Sequence, residues 1–208
     1  MKRIIFSILI FVVRENFSFA QEADSTSQKE AWEFKADLSA FFIPDDFFLL
    51  PIVSADHNHL HLEARYNYED AQTASLFGGY NFSFGNKFSI DLTPIGGVAF
   101  GNTNGIVLGY EVEFSYWNLG LYTEGEYLFD SNDPYDNFFY SWTELYYVPA
   151  DWIWFGIAAQ RIREQETALD LQRGVMLALS KKFLTLTGYY FNPFTSDDFW
   201  LVTAGATF

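Results

Sequence analysis

From residue 31 onward the chain is built of segments roughly ten to thirteen residues long in which apolar and polar residues alternate, and no other feature restricts its fold as much. A period of two puts successive side chains on opposite faces of an extended strand, so each segment has one oily and one polar face. In Leu60 to Glu69, the residues Leu60, Leu62, Ala64, Tyr66 and Tyr68 share one face, while His61, Glu63, Arg65, Asn67 and Glu69 share the other. In Gly105 to Tyr116, Ile106, Leu108, Tyr110, Val112, Phe114 and Tyr116 oppose Val107, Gly109, Glu111, Glu113 and Ser115. Leu119 to Asp130 repeats the pattern, with Leu121, Thr123, Gly125, Tyr127 and Phe129 set against Tyr122, Glu124, Glu126, Leu128 and Asp130. Only Trp117-Asn118 joins these last two segments, which makes them neighbouring antiparallel strands.

Eight further segments follow the same rule: Ala31 to Ile43, Gln72 to Phe84, Lys87 to Phe100, Phe138 to Tyr147, Trp152 to Arg163, Ala168 to Ser180, Phe183 to Phe191 and Asp198 to Phe208. A twelfth, Phe47 to Ala55, carries Pro51, which cannot donate to a strand ladder. Compact turns alternate with longer, more polar links, the wiring of a barrel whose strands cross a membrane. With both chain ends on one side the strand number must be even, so twelve strands are expected, with ten as the alternative.

Aromatic residues make up 21% of the chain, yet after the first twenty residues no apolar run is long enough for a membrane-crossing helix. Strands in soluble domains are typically about five or six residues long, so segments of this length favour a membrane-spanning barrel over a soluble sandwich. Aromatic pairs near strand ends (Tyr66 and Tyr68, Tyr116 and Trp117, Tyr146 and Tyr147, Trp152 and Trp154) are read as girdles at the membrane interface. The fold class is therefore all-β, a closed antiparallel transmembrane β-barrel.

The final segment alternates Trp200, Val202, Ala204, Ala206 and Phe208, and it resembles the C-terminal strand signature of bacterial outer-membrane β-barrel proteins. That resemblance implies that the barrel assembly machinery recognises the strand ending in Phe208, and that outer-membrane lipid and lipopolysaccharide surround the barrel. At the other end, Lys2 and Arg3 precede an apolar run, Ile4 to Val13, and small residues stand at Ser18 and Ala20. Residues 1–20 are thus read as a signal peptide for Sec-type export from a Gram-negative cytoplasm, 21–30 as a polar leader and 31–208 as the barrel. Without the first twenty residues the chain has 9 basic and 26 acidic residues, a balance of −17 that argues against nucleic acid as a partner. There is no cysteine, so neither a lipid-anchored thiol nor a disulfide framework is available.

Parity assigns His61, Glu63, Arg65, Glu111, Glu113, Glu124, Glu126 and Glu144 to the lumen, joined by Gln160, Asp170 and Gln172. Acid predominates there, which fits either a cation-selective constriction or an ion-pair network filling a narrow barrel, in which Arg65 is one candidate partner for Glu124. Arg161 and Arg173 fall on the opposite parity. A lipid-facing arginine near the membrane centre costs about 2–4 kcal/mol, so a bulge that turns Arg173 inward is expected.

All three histidines lie in Asp56-His57-Asn58-His59-Leu60-His61. His59 and His61 share a strand face, but no carboxylate is placed beside them by sequence alone, and they are read as polar residues of a turn and a strand start. No metal or cofactor is expected. His61 would be the base of a barrel enzyme acting on envelope lipid or peptide, the alternative function, but no G-x-S-x-G or other nucleophile motif accompanies it. The loop Asp130 to Asp136 lacks the glycine and terminal glutamate of a calcium loop and is read as a solvated turn. The expected function is a non-enzymatic barrel, either a narrow channel for small polar or cationic solutes or a structural barrel with a blocked lumen.

Overall fold

A computed structural model describes residues 31–44, 46–164 and 170–208. The expected signal peptide, the polar leader and the centre of the loop after residue 164 lie outside the described residues, as does the side chain of Asp170.

The strands are β1 (Glu33–Ile43), β2 (Asp46–His57), β3 (Leu60–Tyr66), β4 (Ala74–Tyr80), β5 (Phe82–Gly85), β6 (Phe88–Phe100), β7 (Gly105–Tyr116), β8 (Leu119–Asp130), β9 (Phe138–Ala150), β10 (Ile153–Glu164), β11 (Asp170–Lys181), β12 (Leu184–Phe191) and β13 (Phe199–Thr207). Each pairs antiparallel with its neighbours, and β1 pairs with both β2 and β13, so the sheet closes on itself. At the seam Phe34 and Phe208 exchange backbone hydrogen bonds of 3.1 and 2.8 Å.

The barrel has twelve staves, because β4 and β5 are two halves of one. Both pair with β6 in a single continuous register, Gly79 opposite Ile95 and Phe82 opposite Leu92. That register sets the gap between them against Thr93 and Pro94. Pro94 has no N–H to offer, so the ladder lapses there. A hydrogen bond from the Thr93 hydroxyl to Asn81 Oδ1 (2.7 Å) spans the gap. Pro51 is accommodated inside β2 for a related reason. It pairs with Leu38 of β1 but lies one residue beyond the last β3 partner of β2, Ile52, so its missing donor falls where a ladder already ends.

Tight turns close one end of the barrel, with positive φ at Asn58, Gly85, Trp117 and Lys182, and the seam between Phe34 and Phe208 lies at that same end. The longer links occupy the other end, as expected. Leu38, Val53, Leu62, Leu76, Val98, Leu108, Ile157, Leu177 and Leu186 are exposed on the outer wall, while the buried residues point inward. An apolar outside around a partly polar inside is the arrangement of a barrel set in lipid.

Three expectations are corrected. Tyr68 does not join a girdle: β3 ends at Tyr66, and the chain turns Tyr68 inward over Arg65. Tyr146 and Trp154 also leave the girdle and pack against a cluster inside the barrel, whereas Tyr66, Tyr116, Trp117, Tyr147 and Trp152 are exposed. The bulge is not at Arg173, since β10 and β11 pair without a slip from Ile153 opposite Leu179 to Ile162 opposite Asp170. The register shift falls instead between β9 and β10, where Ala150 faces Ile153 but Tyr147 faces Phe155, at the proline of Val148-Pro149. Arg161 and Arg173 keep their outward parity and are exposed. Arg173 exchanges hydrogen bonds with Asn192 of the β12–β13 loop, so it sits at the loop-side rim, where an outward arginine does not meet the membrane centre.

Candidate functional site

The lumen is organised around Arg65, whose side chain is only 2% exposed. Its Nε donates to Glu63 at 2.5 Å, its Nη1 donates to Glu126 at 2.9 Å, and its Nη2 lies 3.6 Å from Glu111. The guanidinium also lies 4.3 Å from the centre of the Tyr68 ring and 4.5 Å from that of Phe77, so two aromatic faces cover what the carboxylates leave open. Apart from Tyr68, in the link after β3, these partners come from β3, β4, β7 and β8, and a single side chain therefore ties together staves that are not all neighbours. The space between Arg65, Tyr68, Glu124, Glu126 and Tyr140 is too small to admit a water molecule.

The remaining lumen acids are held by aromatic donors. Glu124 accepts from the phenols of Tyr68 and, at 2.7 Å, Tyr122. Its partner is thus not Arg65, the candidate from the sequence, because Arg65 is already engaged by Glu63 and Glu126. Glu144 accepts from the Trp142 indole at 2.8 Å and the Tyr189 phenol at 2.7 Å, and Glu113 accepts from the Tyr146 phenol. Tyr146 reaches Glu113 by crossing Gly120, directly opposite it on β8, where any β-carbon would collide with the tyrosine ring. Gln160 and Gln172 are bonded to each other, also facing inward.

His61, Glu63, Arg65, Glu111, Glu113, Glu124, Glu126 and Glu144 are accordingly all in the lumen, and all but Glu111 make a hydrogen bond shorter than 3.1 Å there. What sequence reading missed is the aromatic half of the network. The alternation puts Tyr122 on the face of Glu124 and Trp142 on that of Glu144, but it does not show that either donates to its neighbouring carboxylate. Tyr68 lies beyond the end of its strand, where parity stops carrying information.

Two apolar clusters fill much of the rest. Trp142, Ala158, Met176, Tyr189, Phe191, Phe199 and Leu201 pack together on the β9–β13 side, and Phe77, Ile95, Ala99, Val107 and Leu128 pack together on the β4–β8 side.

The histidines separate. His59 stacks on Tyr80 outside the acidic network, its Nδ1 against the Asn81 carbonyl at 2.9 Å. His61 points inward, 5% exposed, with Nδ1 bonded to the Asp56 carboxylate at 3.0 Å. In the Asp130 to Asp136 loop, Asp130 accepts from the backbone of Asn132 and Asp133, and Asp133 caps the short 3-10 turn Pro134–Asp136. Those oxygens stabilise the loop itself, as a solvated turn requires.

No family model matches the chain, and no curated protein does. Among solved structures, the KdgM porin superposes with a TM-score of 0.64 at 14% identity, over 84% of this chain and 99% of that one. The same porin in complex with disordered oligogalacturonate gives 0.65 at 13% identity with the same coverage. The fold is that of an outer-membrane β-barrel. Among the described residues the lumen of this chain holds one enclosed arginine, Arg65, with several carboxylates and many aromatic rings.

Proposed function

We propose that the chain is a non-enzymatic outer-membrane barrel of the porin type whose lumen is shut at the level of Arg65 by its own side chains. The observation that supports this reading is the knot of Arg65, Glu63, Glu126, Tyr68 and Tyr140, whose internal space does not admit a water molecule. Narrow barrels are commonly filled by their own side chains, and the apolar clusters on the β9–β13 and β4–β8 sides fill more of the interior. The resemblance to the KdgM porin supports the outer membrane as its location, where the strand ending in Phe208 would engage the assembly machinery.

The neighbouring porin was captured with oligogalacturonate, a polyanion. Here Glu63, Glu111, Glu113, Glu124, Glu126 and Glu144 would repel such a solute, so any traffic through this barrel is cationic or neutral.

Planar bilayers test the reading. The wild-type barrel should give no steady conductance in potassium chloride, whereas Tyr68→Ala with Tyr140→Ala should open a small cation-preferring pore. Adding Glu124→Gln and Glu126→Gln to the opened barrel should weaken that preference. A steady ohmic conductance from the wild type would overturn the closed lumen.

A further inference from the structure

One nitrogen of His61 and one carboxylate oxygen each of Glu63 and Glu111 lie within 4.8 Å of one another, inside the barrel wall. His61 and Glu63 are two residues apart on the inner face of β3, and Glu111 reaches them from β7. We infer that His61, Glu63 and Glu111 form a binding site for a divalent transition metal of the zinc class.

Three observations converge on a cation. First, the imidazole is buried and its Nε2 has no hydrogen-bond partner. A buried polar nitrogen left unpaired is costly, and a metal ion would satisfy it. Second, Nδ1 is bonded to the Asp56 carboxylate at 3.0 Å. A carboxylate on one ring nitrogen places the proton there and leaves the lone pair on the other, the usual support for a metal-binding histidine. Third, Glu63, Glu111 and Glu126 gather around Arg65, and with Lys35 the only other cation acting on Glu63 and Glu111 among the described residues, itself paired with Asp37, the carboxylates outnumber the positive charges. A divalent ion beside Glu63 and Glu111 would supply the missing positive charge.

The spacing agrees with the chemistry. Zinc bonds to nitrogen and oxygen are about 2.0–2.2 Å long, so in a tetrahedral site the ligand atoms stand about 3.4 Å apart. Side-chain rotation on binding would draw the three atoms, now within 4.8 Å of one another, to that spacing. Arg65 holds one oxygen of Glu63, and each carboxylate has a second to give the metal. One imidazole and two carboxylates leave a coordination position for water.

This inference stands whether or not the barrel conducts. The mature chain, folded in detergent micelles and stripped with chelator, should take up one zinc ion in a calorimetric titration. His61→Ala and Glu111→Gln should each weaken binding by at least about 100-fold, and Asp56→Asn by about 10–100-fold through loss of the support to His61. His59→Ala, which changes a histidine outside the cluster, should leave binding intact. Heat-shifted migration on gels verifies that each variant is folded. If His61→Ala does not fold, X-ray absorption of the zinc-loaded wild type decides, with one imidazole among oxygen ligands expected. Absence of stoichiometric zinc binding, a folded His61→Ala that binds as the wild type does, or a zinc spectrum without imidazole would each overturn the site.

Discussion

Arg65 shows how much one buried charge can organise in a barrel of this width. Its guanidinium serves Glu63 and Glu126 directly and also lies over the rings of Tyr68 and Phe77. A lysine would offer the charge but not the fork or the stacking. Arg65→Met should therefore destabilise the folded barrel by about 3–5 kcal/mol, since it strands carboxylates that water does not reach. Reversible urea unfolding in lipid, followed by tryptophan fluorescence, measures this. A loss below about 1 kcal/mol would mean that the acids are well hydrated and the lumen is wet at this level. A companion replacement of Arg65, Glu63 and Glu126 together by apolar residues of similar size should be much milder than Arg65→Met alone, because no partner is then left unpaired.

Along single strands the determining fact is that neighbours face different media. Leu108, on β7 and 55% exposed, stands on the outer wall, while Val107 beside it is fully buried inside. Leu108→Arg should cost about 2–4 kcal/mol in bilayers, whereas Arg173→Leu at the loop-side rim should change stability by less than about 0.5 kcal/mol. The pair Leu121 and Glu124 on β8 offers a direct readout of facing. A spin label at 121 should be reached by dissolved oxygen in the lipid, and one at 124 should be shielded from it. Equal lipid access at both positions would refute the register. The proline positions show the same logic at work in the backbone: Pro94 interrupts the stave opposite it and Pro149 coincides with the bulge, while Pro51, at the end of a ladder, disturbs nothing.

At the level of the whole molecule, closure is what makes the chain tolerable in lipid. Every strand edge is paired around the ring, with the seam from Lys35 opposite Thr207 to Phe42 opposite Trp200, so the described strands leave no open sheet edge in the membrane except along the short β5. β5 projects past the β2–β3 turn and pairs only with β6, at the tight-turn end. The protein should fractionate with outer membranes, and unheated samples should migrate on gels as a compact form that shifts on boiling, because the hydrogen-bonded ring resists detergent. Recovery in a soluble periplasmic fraction without detergent would contradict both the fold's setting and the proposed function.

Alternation is a local property, and what depends on it was legible in the amino-acid order alone. The stave lengths, the oily exterior and the inward parity of His61, Glu63, Arg65, Glu111, Glu113, Glu124, Glu126 and Glu144 all follow from a period of two. Partner choice across the lumen does not. Which acid Arg65 grips, that Glu124 turns to tyrosines instead, and that Glu111 of β7 comes within reach of His61 of β3 are set by the curvature of the closed ring, which brings together side chains dozens of residues apart. Tyr68 belongs to the same class: once β3 ends, only the packing around Arg65 decides which way its ring points.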